Sequence, residues 1–388
     1  MRASAFLYPW DVNGDPEAAA RTAALGVHQV TLASAYHSTR ALTPRHPRHR
    51  VVTAEHAAVL YPLDEARWAE RVPRPYPAGD WAPGDAYGEA AAALAGAGLD
   101  VHTWVVLAHN SRMGEDHPST SVVNAYGDRY PWAPCIAQPA TRACLTDLAA
   151  EAAVRPGAAG TELESLGWYG LAHLHAHDKI GGVPLGDAGH YLMSLCFCAA
   201  CAEGYDRHGL DAEELASFVR SALDPVWRGA PSDGGWAGVE KLLGAETAAA
   251  TRAWRDTVAR SLQEETVRAV RSAAPAGFQI LLHADPVSFH CGANAGVDPR
   301  HILSVADGVV VPCTGGTGLL APFAETAAPG TVLAANFTVV SGMGGHPDTL
   351  STDAAHAADL GATELRLYHA GLASDQDLER VRQALAGL

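Results

Sequence analysis

The stretch "AALGVHQVTL", Ala23–Leu32, runs from the end of an Ala-rich helix through one glycine into an apolar, β-branched segment. Glycine at that point ends a helix because it accepts the left-handed backbone that closes a last turn. Such a joint belongs inside a βαβ unit. It recurs at Leu94–Leu107, "LAGAGLDVHTWVVL", and at Ala357–Tyr368, "AADLGATELRLY". On either side of these joints, short apolar runs bounded by Gly, Pro, Asp or Asn predict buried parallel strands. They fall at Ala5–Tyr8, Gln29–Ala33, His102–Leu107, Thr161–Leu166, Phe278–His283, Gly308–Pro312, Thr331–Ala335 and Leu365–Tyr368. Ala-rich helical stretches separate them, among them "YGEAAAALAGAGLD", "PATRACLTDLAAEAA" and "DQDLERVRQALAGL". Eight strands alternating with helices predict a closed (β/α)8 TIM barrel, an α/β fold, in a single domain over 1–388. The alternative, a doubly wound sheet, lacks the GxGxxG that would follow its first strand.

Two segments break the alternation. Residues 36–85, rich in Pro, Arg and His, read as a long loop insertion after strand two. Residues 187–275 read as a helical insertion after strand four that carries a cysteine cluster. Long loops at the C-terminal ends of barrel strands usually wall the substrate site.

Composition narrows the partners. The 388 residues are 48% hydrophobic, ample for a large core. The net charge of −16, from 27 basic and 43 acidic residues, disfavours nucleic acid and anionic lipid. No apolar run is long enough to span a bilayer, and "MRASAFLYPWDV" lacks the apolar core and cleavage site of a secretory signal. A cytoplasmic protein is expected, acting on a small molecule, with no membrane and no nucleic acid as partner; a homo-oligomer is compatible with the sequence. In a reducing compartment the seven cysteines are expected as thiols or metal ligands.

Three of the seven crowd into "LCFCAAC", as Cys196, Cys198 and Cys201. Tetrahedral zinc needs a fourth ligand. Cys135, in "YPWAPCIAQP" after strand three, is the best candidate, because loops after adjacent barrel strands meet on one face. Cys144 lies in a helical run where a small apolar residue suffices. Four thiolates leave no open coordination position, so the expected cofactor is a structural zinc.

"CIAQP", "GTELES" and "CFCAACAEGYDRHG", in that order, resemble the glycoside hydrolase family 42 β-galactosidases and, more closely, Ala-rich glycosidase-like barrel proteins of high-GC bacteria. The resemblance is carried by residues 100–210. It implies that Cys135 and the triplet hold zinc, that the substrate is a carbohydrate or glycoside, and that the acid/base glutamate ends strand four. That position is Glu164. Family members usually have Asn before this Glu; here it is Leu163. The resemblance also places a nucleophilic Glu at the end of strand seven, where "TVLAANFTVV" has none.

Catalytic groups of such barrels cluster at the C-terminal strand ends. The polar and aromatic residues there are Trp10 and Asp11; Tyr36, His37 and Arg40; His109 and Asn110; Glu162 and Glu164; His283 and Asp285; Thr314; Asn336; and Tyr368 with His369. They suit a polyhydroxylated ligand. A carboxyl between apolar walls favours its neutral form, which suits Glu164 to protonate a leaving oxygen. Asp285, with Asp11 behind it, is the expected second carboxylate. Glycosidases that keep configuration hold the two carboxyls about 5–5.5 Å apart, and inverting ones about 6.5–9.5 Å.

The loop "HLHAHDK" offers a rival site. His173, His175 and His177, with Asp178, could gather a divalent metal for metal-dependent chemistry, or line a sugar pocket, His175 then contacting substrate. A barrel that binds sugar without catalysis is the third reading. "SGMGGHP", Ser341–Pro347, reads as a flexible loop after strand seven.

Overall fold

The computed structural model describes residues 1–171, 178–232 and 234–388. Eight parallel strands close into a barrel: β1 Arg2–Leu7, β2 Gln29–Tyr36, β3 Asp100–Val106, β4 Ala158–Glu164, β5 Gln279–Asp285, β6 Gly308–Pro312, β7 Val332–Thr338 and β8 Glu364–Tyr368. Each pairs with its neighbours in sequence. Closure comes from β1, which pairs with β2 through Ser4↔Gln29 and with β8 through Arg2↔Glu364. Every predicted strand is present at its place. The Gly26 joint also holds: its φ is +86°, and the helix before it spans Ala18–Ala23.

The outer helices start where side chains supply acceptors for the exposed N–H groups of a first turn. Asp85 accepts from Gly88 N at 3.0 Å ahead of helix Ala86–Gly96. Ser374 accepts from Asp377 N at 3.1 Å ahead of Asp375–Ala386. Helix Pro139–Ala153 begins on a proline, which has no N–H to leave unpaired.

The insertion after β2 is built rather than irregular. Thr39–Leu42 and Val51–Ala54 form an antiparallel hairpin, and Ala58–Val59 pairs with the end of β2. The segment after β4 folds into helices Gly186–Met193, Ala199–Asp206, Ala212–Trp227, Gly235–Leu243 and Ala245–Ala273. The last lies beside Pro139–Ala153. Arg142 of that helix reaches across to Val258 O at 3.2 Å, Ser261 Oγ at 3.0 Å and Glu265 at 2.7 Å.

The barrel interior holds polar layers rather than aliphatic ones alone. Inward-facing residues recur every second position along a strand. On β4 this parity brings Glu162 and Glu164 inward, and on β8 Arg366 and Tyr368. The lower layer joins Glu162 to Arg366 Nε at 2.7 Å and to the Thr31 hydroxyl at 3.0 Å, all fully buried. Arg366 also donates to Glu364 at 2.8 Å. Gly160 makes room for the layer, since a Cβ there would stand 2.6 Å from the His102 ring. No helix among the described residues is long and apolar enough to cross a membrane.

Candidate active site

Above the ionic layer, at the C-terminal mouth, lies a chamber of about 740 Å³. Glu164 stands on its floor, 3% exposed. Its Oε2 accepts from Trp104 Nε1 at 2.7 Å and from the Tyr368 hydroxyl at 3.2 Å. His283 Nδ1 lies 3.8 Å from the same oxygen, while His283 Nε2 faces Glu162 at 3.7 Å. Burial raises the pKa of Glu164, and the nearby imidazole and two hydrogen bonds only partly oppose it. Because Oε2 already accepts two donors, the proton of the neutral acid belongs on Oε1.

Glu162, one layer down, behaves in the opposite way. Burial would raise it, but the Arg366 guanidinium and the imidazoles of His283 and His102 hold it at about 2. The two carboxyls of one strand are therefore pushed in opposite directions by their surroundings, Glu162 toward the anion and Glu164 toward the neutral form.

Two residues outside glycine carry a left-handed backbone among those described: Ser165, φ +59°, and His369, φ +61°. They immediately follow Glu164 and Tyr368. Backbone strain of this kind persists where surrounding structure enforces it and is common at functional sites. Here Ser165 is gripped by Ala293 O, which accepts its N–H at 2.8 Å, and by Ala108 N, which donates to its carbonyl at 3.0 Å.

The strand-end residues divide. Tyr36, His37, Arg40, His283, Asn336, Tyr368, His369 and Thr314 line the chamber with Glu164. His37 stacks on Tyr36, centroids 4.2 Å apart. His109 does not line it; it backs His37 at 4.8 Å and stacks on Tyr169 at 4.5 Å. Asn110 caps helix Ser111–Asp116, its side chain accepting from Met113 N at 3.0 Å. Trp10 lies behind the wall, stacked on Tyr8 at 4.7 Å. Asp11 accepts from Tyr8 N at 2.9 Å and caps a short turn, and burial pushes its pKa up to about 7. His173, His175 and His177 lie outside the described residues.

Asp285, the expected second carboxylate, lines a neighbouring recess instead. Beyond His283, β5 leaves its barrel partners and pairs with Ala295–Gly296, which carries Asp285 outward. There it accepts from His290 Nδ1 and from Val287 N, at 2.9 and 2.8 Å. Among the described residues lining the chamber, Glu164 is the only acid.

Sequence reasoning missed Tyr8, Trp104 and Arg366. Tyr8 donates to the Tyr36 hydroxyl at 2.9 Å and meets His369 Nδ1 at 3.1 Å. Arg366 had a legible signal: in "ELRLY" it shares parity with Tyr368, so a charged residue points into the barrel.

The cysteine cluster sits away from the chamber. Cys135, Cys196, Cys198 and Cys201 are buried, with sulfurs all within 4.8 Å of one another. Cys135 Sγ lies 3.6 Å from both Cys198 and Cys201. Cys135 follows the hairpin Ser121–Val123/Arg129–Pro134, and Cys198 precedes helix Ala199–Asp206, so the group ties the loops after β3 and β4. This set is suited to hold a metal ion. Cys144 lies apart from it, buried in helix Pro139–Ala153.

No protein-family model and no curated protein matches the sequence. Solved structures do resemble the fold. The glycoside hydrolase domain of PgaB from Bordetella bronchiseptica is 14% identical with TM-score 0.57, over 99% of this chain and 98% of that one. Alpha-L-fucosidase isoenzyme 2 from Paenibacillus thiaminolyticus is 11% identical, TM-score 0.56, over 100% of this chain and 49% of that one. A GH42 β-galactosidase from G. stearothermophilus is 12% identical, TM-score 0.54, over 100% and 56%. The chain thus spans about half the length of the fucosidase and the galactosidase. The class that the fold defines is a (β/α)8 TIM barrel. At these identities the likeness is one of fold.

Proposed function

We propose that the protein is a carbohydrate-active, glycoside hydrolase-like enzyme with Glu164 as general acid/base. The observation that carries this reading is the Glu164 carboxyl, buried on the chamber floor, where burial shifts it toward its neutral form. In the reaction, Oε1 gives its proton to the glycosidic oxygen as the C–O bond breaks and its electron pair passes to that oxygen. Water then adds to the anomeric carbon, and its surplus proton returns to Glu164. Tyr36, His37, Tyr368 and His369 supply ring faces for sugar C–H surfaces; Arg40, Asn336 and Thr314 supply hydroxyl contacts. His283 is too close to Glu164, at 3.8 Å, to serve the opposite face of a sugar at the separations glycosidases use. Its part is to tune the acid.

Replacing Glu164 with Gln keeps the shape and removes the proton. Turnover should fall about 10²–10⁴-fold while the glycan still binds. Undiminished turnover would refute the assignment. That Glu164 is the single acid among the described residues lining the chamber favours one further reading, a barrel that binds sugar without cleaving it; that reading requires binding with no turnover in the wild type.

We further infer that the four cysteines hold a structural zinc. Zinc–sulfur bonds of about 2.3 Å in a tetrahedron put sulfurs about 3.8 Å apart, close to the 3.6 Å that separates Cys135 from Cys198 and from Cys201. A closed set of four thiolates supplies folding energy and no chemistry.

A further inference from the structure

Exposure rises along the chamber. Glu164 and His283, on its floor, are 3% and 1% exposed, whereas its mouth carries apolar side chains open to solvent. Among the described residues, four large apolar side chains are more than half exposed. Two of them, Leu42 at 67% and Met343 at 51%, line this chamber, and a third, Val51, stands opposite Leu42 on the paired strand of the hairpin. Leu372 and Val340, half-buried, line it too. Single exposed apolar residues are ordinary, but a group of them at the entrance of one cavity marks a place where something apolar docks.

Polar anchors hold this rim in place. Met343 ends the turn Ser341–Met343, and the buried Asp377 fixes that turn, accepting from the Ser341 hydroxyl at 2.6 Å and from Ser341 N at 3.3 Å. Leu42 ends a hairpin strand. Arg45, three residues on, ties the hairpin to the turn Ala370–Leu372: its guanidinium donates to Ala373 O, to Ala370 O at 3.2 Å and to Gly371 O at 3.1 Å. The loops after β2, β7 and β8 are thereby fixed with their apolar members on the chamber. Ligand sites are largely preformed in this way.

The depth of Glu164 decides what the rim can meet. A glycosidic oxygen at its Oε1 leaves one part of the substrate on the floor and sends the other toward solvent. The floor offers imidazole, phenol and amide groups, which answer sugar hydroxyls, so the leaving group extends past the rim. Leu42, Met343 and Leu372 have no hydrogen bond to give and no ring face on which a sugar would stack. A second sugar would gain little from them, whereas an alkyl or aryl group would bury its own apolar surface and theirs. Arg40, exposed on the same strand as Leu42, keeps the sugar-hydroxyl contact already given to it. We propose that the chamber mouth is an aglycone subsite and that the substrate is a glycoside of an apolar alcohol or phenol, which departs carrying the Glu164 proton. The proposal rests on the reading of Glu164 as the acid.

The test is a panel of methyl glycosides, n-hexyl glycosides and disaccharides, over both anomers of the common pentoses and hexoses, assayed with the full chain. Methanol and hexanol are similar leaving groups, so a difference between their glycosides reports contact with the rim. For a sugar that is turned over, kcat/KM should be about tenfold higher for the hexyl than for the methyl glycoside, the gain from burying about two methylenes. The double variant L42S/M343S, changed only at exposed positions, should keep the wild-type melting temperature and bring the ratio of hexyl to methyl close to one. The wild-type comparison stands whether or not that variant folds. A wild-type ratio of one, a ratio unchanged in the double variant, or turnover of disaccharides alone overturns the aglycone subsite and leaves Glu164 as the acid. No glycoside turned over at all overturns both.

Discussion

Glu162 and Glu164 show how neighbours two residues apart along one strand acquire opposite roles. Glu162 is held by Arg366 in a fully buried layer, and the guanidinium favours its anion. Glu162→Gln leaves that guanidinium with Glu364 alone and should cost about 3–5 kcal/mol in denaturant unfolding, the usual result of breaking a buried pair. The sign with pH follows from the depressed pKa. The stabilisation is whole above the ordinary value of 4.5 and is lost as pH falls toward about 2. The difference in stability between wild type and variant should therefore shrink over that window. Glu164 runs the other way: its raised pKa keeps the acid neutral to higher pH, and turnover should fall as pH rises through it. Tyr368→Phe removes a hydrogen bond that favours the ionised form. The alkaline limb of the rate profile should then move upward; a downward shift would contradict the geometry. At this scale the sequence was partly legible. Reading the strand ends picked out Glu164, Glu162 and Tyr368, which the structure turns into the barrel. It did not place Asp285, which shares parity with His283, because β5 changes partners one residue earlier. Nor did it foresee Asn110, whose amide closes a helix turn that sequence shows only as "HNSR".

At the scale of elements, the βα joints set the strands and the loops set the site. The glycine stops were readable because backbone conformation at such a stop is a local property. The hairpin that follows β2 was not, since its strands are short and its Pro- and Arg-rich residues read as loop. The cysteine group is the element-scale link between the loops after β3 and β4. Elemental analysis should find close to one zinc per chain. Cys198→Ser, or chelation, should lower the melting temperature markedly, because metal binding and folding are coupled. Zinc-free protein that melts like wild type would remove the metal from this fold.

Over the whole molecule, a closed barrel places every strand end around one mouth, so chemistry from β1, β2, β4, β5, β6, β7 and β8 meets in a single chamber. Closure was legible from eight strand signals in order. What fills the barrel was less so: alternating apolar runs conceal that Glu162, Arg366, His102 and Thr31 form a layer, since each comes from a different, distant segment. The same barrel that gathers these groups leaves the chamber with Glu164 as the one acid among its described lining residues. The most direct measurement is a crystal structure of the Glu164→Gln protein with a glycan it binds but does not turn over. The glycosidic oxygen is expected within hydrogen-bonding reach of the side chain at position 164, with a sugar ring against Tyr36 or Tyr368. A glycan whose glycosidic oxygens all lie away from that side chain would contradict Glu164 as the acid.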